Sequence, residues 1–217
     1  MQIDQVIARL RRAMLLDATA FEEARDDAAF TPYALAAAAI AVLIGGIGSF
    51  LWGTIILDDA GDLIVEATIL GSIFLVLLML AGIAIGYVVL TQVYKEDVAP
   101  DALARIMAVG SIPFALSFLV FVPGLGFAFG ILSVALMFFY TIFGIRAAFP
   151  NIEPLRVMIT VLAAFSLWAM ILPLLTSASD AFAPGVFVFE ISEDAFEEFF
   201  NASSSIDFDL EDILTTE

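Results

Sequence analysis

The chain contains no cysteine and no histidine among its 217 residues. The first absence excludes disulfides, thiolate nucleophiles and cysteine-based metal sites. The second removes the commonest general base and the commonest transition-metal ligand. Basic residues are scarce as well: eight Lys and Arg stand against 25 Asp and Glu, for a formal net charge of −17. The G-x-S-x-G, H-E-x-x-H and P-loop patterns are missing, so the usual sequence marks of hydrolases, zinc peptidases and nucleotide-binding proteins have no footing. No catalytic residue, cofactor or metal is expected on these grounds, and no nucleic-acid partner. The chain reads as a non-enzymatic protein.

What the chain has in excess is apolar surface. It is 62% hydrophobic with a mean hydropathy of +1.05, outside the range of a soluble globular domain. Apolar runs fall at 33–57, 67–94, 104–122, 126–148 and 155–176, and each approaches or exceeds the roughly 20 residues that cross a hydrocarbon layer. The interiors of the runs lack charge, and intramembrane charges are the usual mark of ion-coupled transport. All the bases lie in alternate gaps or within two residues of the run ends that border them. Arg9, Arg11, Arg12 and Arg25 precede the first run, Lys95 and Arg105 sit where the second gives way to the third, and Arg146 and Arg156 where the fourth gives way to the fifth. Lys and Arg in short loops mark the cytoplasmic face. The expected fold class is therefore an all-α membrane protein: a five-helix transmembrane bundle over 33–176, with an N-terminal interfacial helical segment (1–32) and an acidic C-terminal tail (177–217). The expected location is a prokaryotic cell membrane, multi-pass, with the N-terminus cytoplasmic and the C-terminus extracytoplasmic. No cleavable signal peptide is visible, so the first run is expected to direct insertion itself.

The N-terminal segment splits into two helices. Ile3, Val6, Ile7, Leu10 and Met14 recur at helical spacing with Arg9, Arg11 and Arg12 beside them. This pattern suits either a helix on the inner leaflet, its arginines on anionic lipid, or an amphipathic helix packed on the spans. Asp17 is placed to cap a second helix over roughly 18–28. Phe21, Glu22, Glu23, Arg25, Asp26 and Asp27 on that helix form either a solvated face or a partner-docking surface. Thr31 and Pro32 are expected to cap and start the first span. Gly45, Gly46, Gly82, Gly86, Gly126 and Gly130 are candidate helix-packing positions, because small residues let backbones approach. Scattered hydroxyls, among them Ser72, Ser111, Ser117, Ser133, Thr141 and Thr160, are expected to hydrogen-bond across helices. Pro113 predicts a kink, and Pro123-Gly124 predicts a tight turn. Asp58, Asp59 and Asp62 read as a solvated turn rather than a metal site. The tail alternates acids with Phe208, Leu210, Ile213 and Leu214, a pattern that often stays disordered until it meets a partner. It also holds an Asn201-Ala202-Ser203 glycosylation pattern.

Three blocks carry a family resemblance: Arg11-Arg12-Ala13-Met14-Leu15-Leu16-Asp17, Phe21-Glu22-Glu23-Ala24-Arg25-Asp26-Asp27 and Thr31-Pro32-Tyr33-Ala34. With Gly110-Ser111-Ile112-Pro113 and Arg146-Ala147-Ala148, they resemble the prokaryotic branch of the Yip (Ypt-interacting protein) membrane family over roughly 10–175. The resemblance implies a cytosolic N-terminus and five spans. Eukaryotic relatives are adaptors for lipid-anchored small GTPases. The chain lacks their Asp-Leu-Tyr-Gly-Pro signature, so GTPase binding is not implied, and no residue role carries over from the prokaryotic branch. The leading expectation is a scaffold or adaptor in the lipid bilayer, contacting other membrane proteins through its N-terminal helices and acidic tail, as a homo- or hetero-oligomer. Alternatives are an accessory subunit of a larger membrane complex and a passive small-solute channel or transporter.

Overall fold

A computed structural model describes residues 2–56 and 68–176. The turn holding Asp58, Asp59 and Asp62 and the tail 177–217, with Asn201, lie outside the described residues. Every regular element among the described residues is helical. The α-helices in chain order are α1 (Ile3–Met14), α2 (Ala18–Asp26), α3 (Thr31–Ile56), α4 (Gly71–Val88), α5 (Pro100–Ser111), α6 (Gly126–Ala148) and α7 (Pro154–Thr176). Four helical stretches are long and apolar enough to cross a membrane: Ala28–Ile55, Thr68–Val93, Pro100–Phe121 and Gly126–Ala148. α7 is a further 23-residue helix, packed on α4 and α6. We call proximal the end of the bundle where α3, α5 and α7 begin and α4 and α6 finish.

The third stretch is central, with α3 and α6 packed on either side of it and α4 and α7 paired beyond. It changes helix type at the expected kink. α5 is α-helical to Ser111, and Ile112–Phe121 continues as a 3₁₀ helix. Pro113 accounts for the switch, because it lacks the N–H and its ring crowds the carbonyl four residues back. At about 1.5 Å per α and 2.0 Å per 3₁₀ residue, the two pieces together reach about 38 Å. Gly124, at φ +74°, then turns the chain into α6.

The glycines sit at helix crossings within the one chain. A Cβ on Gly45 would meet Phe114, one on Gly46 would meet Ser72 and Thr68, and one on Gly82 would meet the Ala164 carbonyl. Gly86 faces Met107 and Thr160, Gly126 faces the nearby Val120 carbonyl, and Gly130 is buried in α6. Two further glycines abut the backbone of another helix, Gly48 at Phe118 and Gly110 at Thr141. Hydroxyls behave differently from expectation. Ser111, Ser117, Ser133, Thr141 and Thr160 donate to carbonyls three or four residues back in their own helix, the local option open to any helical Ser or Thr. Thr68 does bond across helices, to the Gly46 carbonyl. Ser72 Oγ is buried with no partner among the described residues.

A Cβ on Gly110 would lie 2.7 Å from Thr141 Cα, so Gly110→Ala forces α5 and α6 apart. The expected cost is about 1–3 kcal/mol, read as earlier heat-induced loss of the monodisperse peak in detergent. Gly82→Ala, where the nearest atom is at 3.4 Å, is expected to leave that transition almost unmoved. Equal shifts for the two variants would contradict this packing.

Candidate functional site

The proximal end is where the polar chemistry concentrates. α2 starts on Asp17, whose carboxylate accepts from the Thr19 backbone N–H at 3.0 Å and the Thr19 hydroxyl at 2.7 Å. Between α1 and α2 the Leu16 N–H bonds the Ala13 carbonyl, and the Asp17 N–H bonds the Arg12 carbonyl. These two bonds form a Schellman stop. Leu16 holds the left-handed position at φ +59°, where glycine is the usual occupant. A leucine costs about 1–2 kcal/mol there.

α2 lies on α5 and α6, placed by one aromatic ring and two arginines. Phe21 is fully buried, edge-on to Phe143 at 5.7 Å and against the bare Cα of Gly144. Arg25 Nη1 donates to the Ala148 carbonyl at the end of α6 at 2.6 Å, and its other nitrogens hold Asp26. Arg105 of α5 has a side chain only 3% exposed. Its Nε donates to the Ala24 carbonyl at 2.7 Å and its Nη2 to the Arg25 carbonyl at 2.6 Å. Its Nη1 donates to Thr31 Oγ1 at 2.8 Å and Asp101 Oδ2 at 2.6 Å. Four of the five guanidinium N–H groups are thus used. The carbonyls it takes belong to the last turn of α2, which has no intrahelical donors and carries the negative end of the helix dipole.

The sequence-predicted residues divide. Glu22 and Asp26 are exposed on the outer side of α2. Glu23 and Asp27 point at α1, bound by Arg12 and Arg9. Phe21 does not belong to a docking face, because helical rotation turns it into the core. Arg9 is not a lipid contact: it shares the bundle side of α1 with Val6 and Ala13, is 15% exposed, pairs with Asp27 at 2.8 Å and lies 4.8 Å over the Phe30 ring. Arg12 is held by Asp17 and Glu23. Arg11 alone of the three is exposed, with no hydrogen bond or ion pair among the described residues. Thr31 does not cap α3. It is itself helical, and its hydroxyl donates back to the Ala28 carbonyl; Asp27 caps the short 3₁₀ turn Ala28–Phe30 instead.

A second feature is a cavity of about 50 Å³ at the centre of the bundle, lined by Met79, Met107, Met137, Phe114, Ser111 and Thr141 among others. Its hydroxyls are spent, Thr141 on the Met137 carbonyl and Ser111 on the Ala108 carbonyl and Met79 Sδ, so its wall offers an apolar and thioether surface. Among the described residues, no three Asp or Glu side chains come together as a metal site. No family model, no curated protein and no solved structure matches the chain.

Two outcomes follow from this geometry. Arg105→Met leaves the terminal carbonyls of α2 without donors, at about 1–3 kcal/mol for each buried group. Amide exchange across 18–30 is expected to accelerate by more than tenfold, with Arg105→Lys intermediate because it lacks the planar fork. Exchange unchanged from the parent would refute the clamp. Separately, the Thr19 hydroxyl, followed by the Arg12 guanidinium, holds the Asp17 carboxyl down from the usual 3.8 to about 2. Its contribution is complete above 3.8 and lost as pH falls through about 2. A nitroxide at Ala18 should keep constant mobility down to about pH 4 and loosen below it, and Asp17→Asn should loosen it already at neutral pH. Loosening complete above pH 4 would contradict the assignment.

Proposed function

We propose that the chain is a non-enzymatic integral membrane scaffold or adaptor of the Yip-like type. In this reading α7 is a fifth span, the proximal end is cytoplasmic in a prokaryotic cell membrane, and the acidic tail lies outside the cell. The bases cluster at the proximal end, as the positive-inside rule requires of a cytoplasmic face.

The observation that carries the scaffold reading is the fixed presentation of α2. Arg105, Arg25 and Phe21 bind this helix to α5 and α6, while Glu22 and Asp26, one helical turn apart, face outward. A docking element held by buried contacts keeps its geometry relative to the spans, so a partner gains affinity without ordering it. The partner chemistry this face suits is a basic protein surface at the membrane.

Glu22→Lys reverses the charge of that face without touching the buried contacts, and Asp26 is left in place because it holds Arg25. Crosslinking in native membranes should recover at least fivefold less of any partner captured by the parent chain. An identical crosslinked set from the reversed variant and from a tail deletion at 178–217 would overturn the reading. Removing 1–30 is a poor substitute, since it also strips Arg105 of its carbonyl partners.

A further inference from the structure

The α1–α2 hairpin does not lie flat across the proximal end. α2 runs alongside α6 in the same direction, with Phe21 at Phe143 and Gly144 and Arg25 at Ala148. The turn before α2 is therefore deeper. Tyr140 Oη donates to the Met14 carbonyl at 2.7 Å. Tyr140 lies eight residues before the end of α6, about 12 Å along its axis at about 1.5 Å per residue. Helical side chains lean toward the N-terminus of their helix, so this hydroxyl is no nearer the proximal end than its own Cα. Met14 also shares a crevice with Ile112, Pro113, Leu116 and Leu136, all from the apolar stretches. On α7 and the turn that continues α4, exposed apolar side chains continue to the proximal limit, at Leu155 (57% exposed) and Val93 (65%). A bilayer that covers Val93 and Leu155 reaches the hairpin turn as well.

The outer side of the hairpin matches that environment. Ile3 and Ile7 on α1 and Leu15 at the turn are 66%, 59% and 72% exposed, while Val6 and Ala13 face the bundle. The turn carries leucine at the left-handed position where glycine would be free of strain. Arg11, one turn after Ile7, is the base of α1 with no ion pair among the described residues, and its neighbours Arg9 and Arg12 are already neutralised by Asp27, Glu23 and Asp17. An apolar face beside a free cation on one helix is the pattern of an interfacial helix on anionic lipid.

We propose that the α1–α2 turn and the adjoining end of α1 are seated in the proximal leaflet, with Leu15 and Ile7 against acyl chains and Arg11, whose side chain leans back toward the start of α1, on the phosphate of an anionic phospholipid. This placement stands apart from the scaffold reading and needs no protein partner. The cysteine-free sequence makes single-site labelling unambiguous. Full-length protein carrying Asp4→Cys, Ile7→Cys or Leu15→Cys is nitroxide-labelled and reconstituted in vesicles of phosphatidylcholine with phosphatidylglycerol. All three positions are exposed, so the label disturbs no packing. Collision with oxygen, which partitions into lipid, should rise from 4 through 7 to 15, and collision with a water-soluble nickel chelate should fall in the same order. Two results overturn the proposal: nickel access at 15 equal to that at 4, which puts the turn in water, or shielding of 7 and 15 from oxygen and nickel alike, which puts a second copy or another protein over them. For the headgroup contact, Arg11→Gln should lower the enrichment of phosphatidylglycerol over phosphatidylcholine among co-purified lipids about fivefold, the equivalent of about 1 kcal/mol per base. Unchanged enrichment would remove the anionic lipid from Arg11.

Discussion

The buried guanidinium of Arg105 is the constraint around which the proximal end is organised. A charge taken out of water is tolerated only when its hydrogen-bonding groups are met. This one is met by two carbonyls that a helix end leaves unused, by the Thr31 hydroxyl and by Asp101. The bargain is mutual, because the last turn of α2 has no other donors for those carbonyls. Arg25 repeats the arrangement at the end of α6. Two helix ends are thus closed by arginines from neighbouring elements. The N-terminal helices are for that reason part of the bundle rather than an appendage to it.

The two halves of the bundle are held by different physics. At the proximal end a large buried cluster gathers Phe21, Phe30, Leu90, Leu103, Ile106 and Ile145, as in a water-soluble core. Toward the distal end the buried cluster is small, centred on Val42, Leu75 and Phe114, and the exposed side chains are apolar. Lipid offers helices no hydrophobic reason to associate, so close approach of backbones must do it. Gly48 on the Phe118 backbone and Gly110 on Thr141 are those approaches. The 3₁₀ stretch Ile112–Phe121 carries the Phe118 approach, and Gly110 lies just before it.

Four membrane-length helices were legible because hydropathy over 20 residues is a strong signal, and the start of α2 was legible because Asp17 precedes a helical pattern with an oxygen at the right place. What hydropathy could not show is which polar residues turn inward. Arg105 reads as the edge of an apolar run, yet it is almost fully buried; its partners are backbone carbonyls about 80 residues away, and a carbonyl has no letter in a sequence. Phe21 stands in an acidic run that reads as solvated, and only the presence of Gly144 opposite makes room for it. Gly110 stood outside the candidate packing positions because it has no second glycine four residues off and no glycine cluster around it. The spacing rule finds symmetric crossings and misses a glycine facing a Thr or Phe backbone.

A hairpin in a leaflet raises a question that its ion pairs answer. Asp17, Glu23, Asp27, Arg9 and Arg12 lie close to a medium that hydrates charge poorly, where each unpaired ion would be costly. They are joined to one another at 2.8–3.0 Å, with the Thr19 hydroxyl accepting from Arg12 and donating to Asp17. At an exposed aqueous surface such pairs are worth little, and a network of this closure would be hard to justify by stability there. Beside acyl chains, the alternative to pairing is a naked charge, and closure becomes a requirement. Arg11, outside that network and without an ion pair among the described residues, is then the base of α1 placed to meet a lipid phosphate.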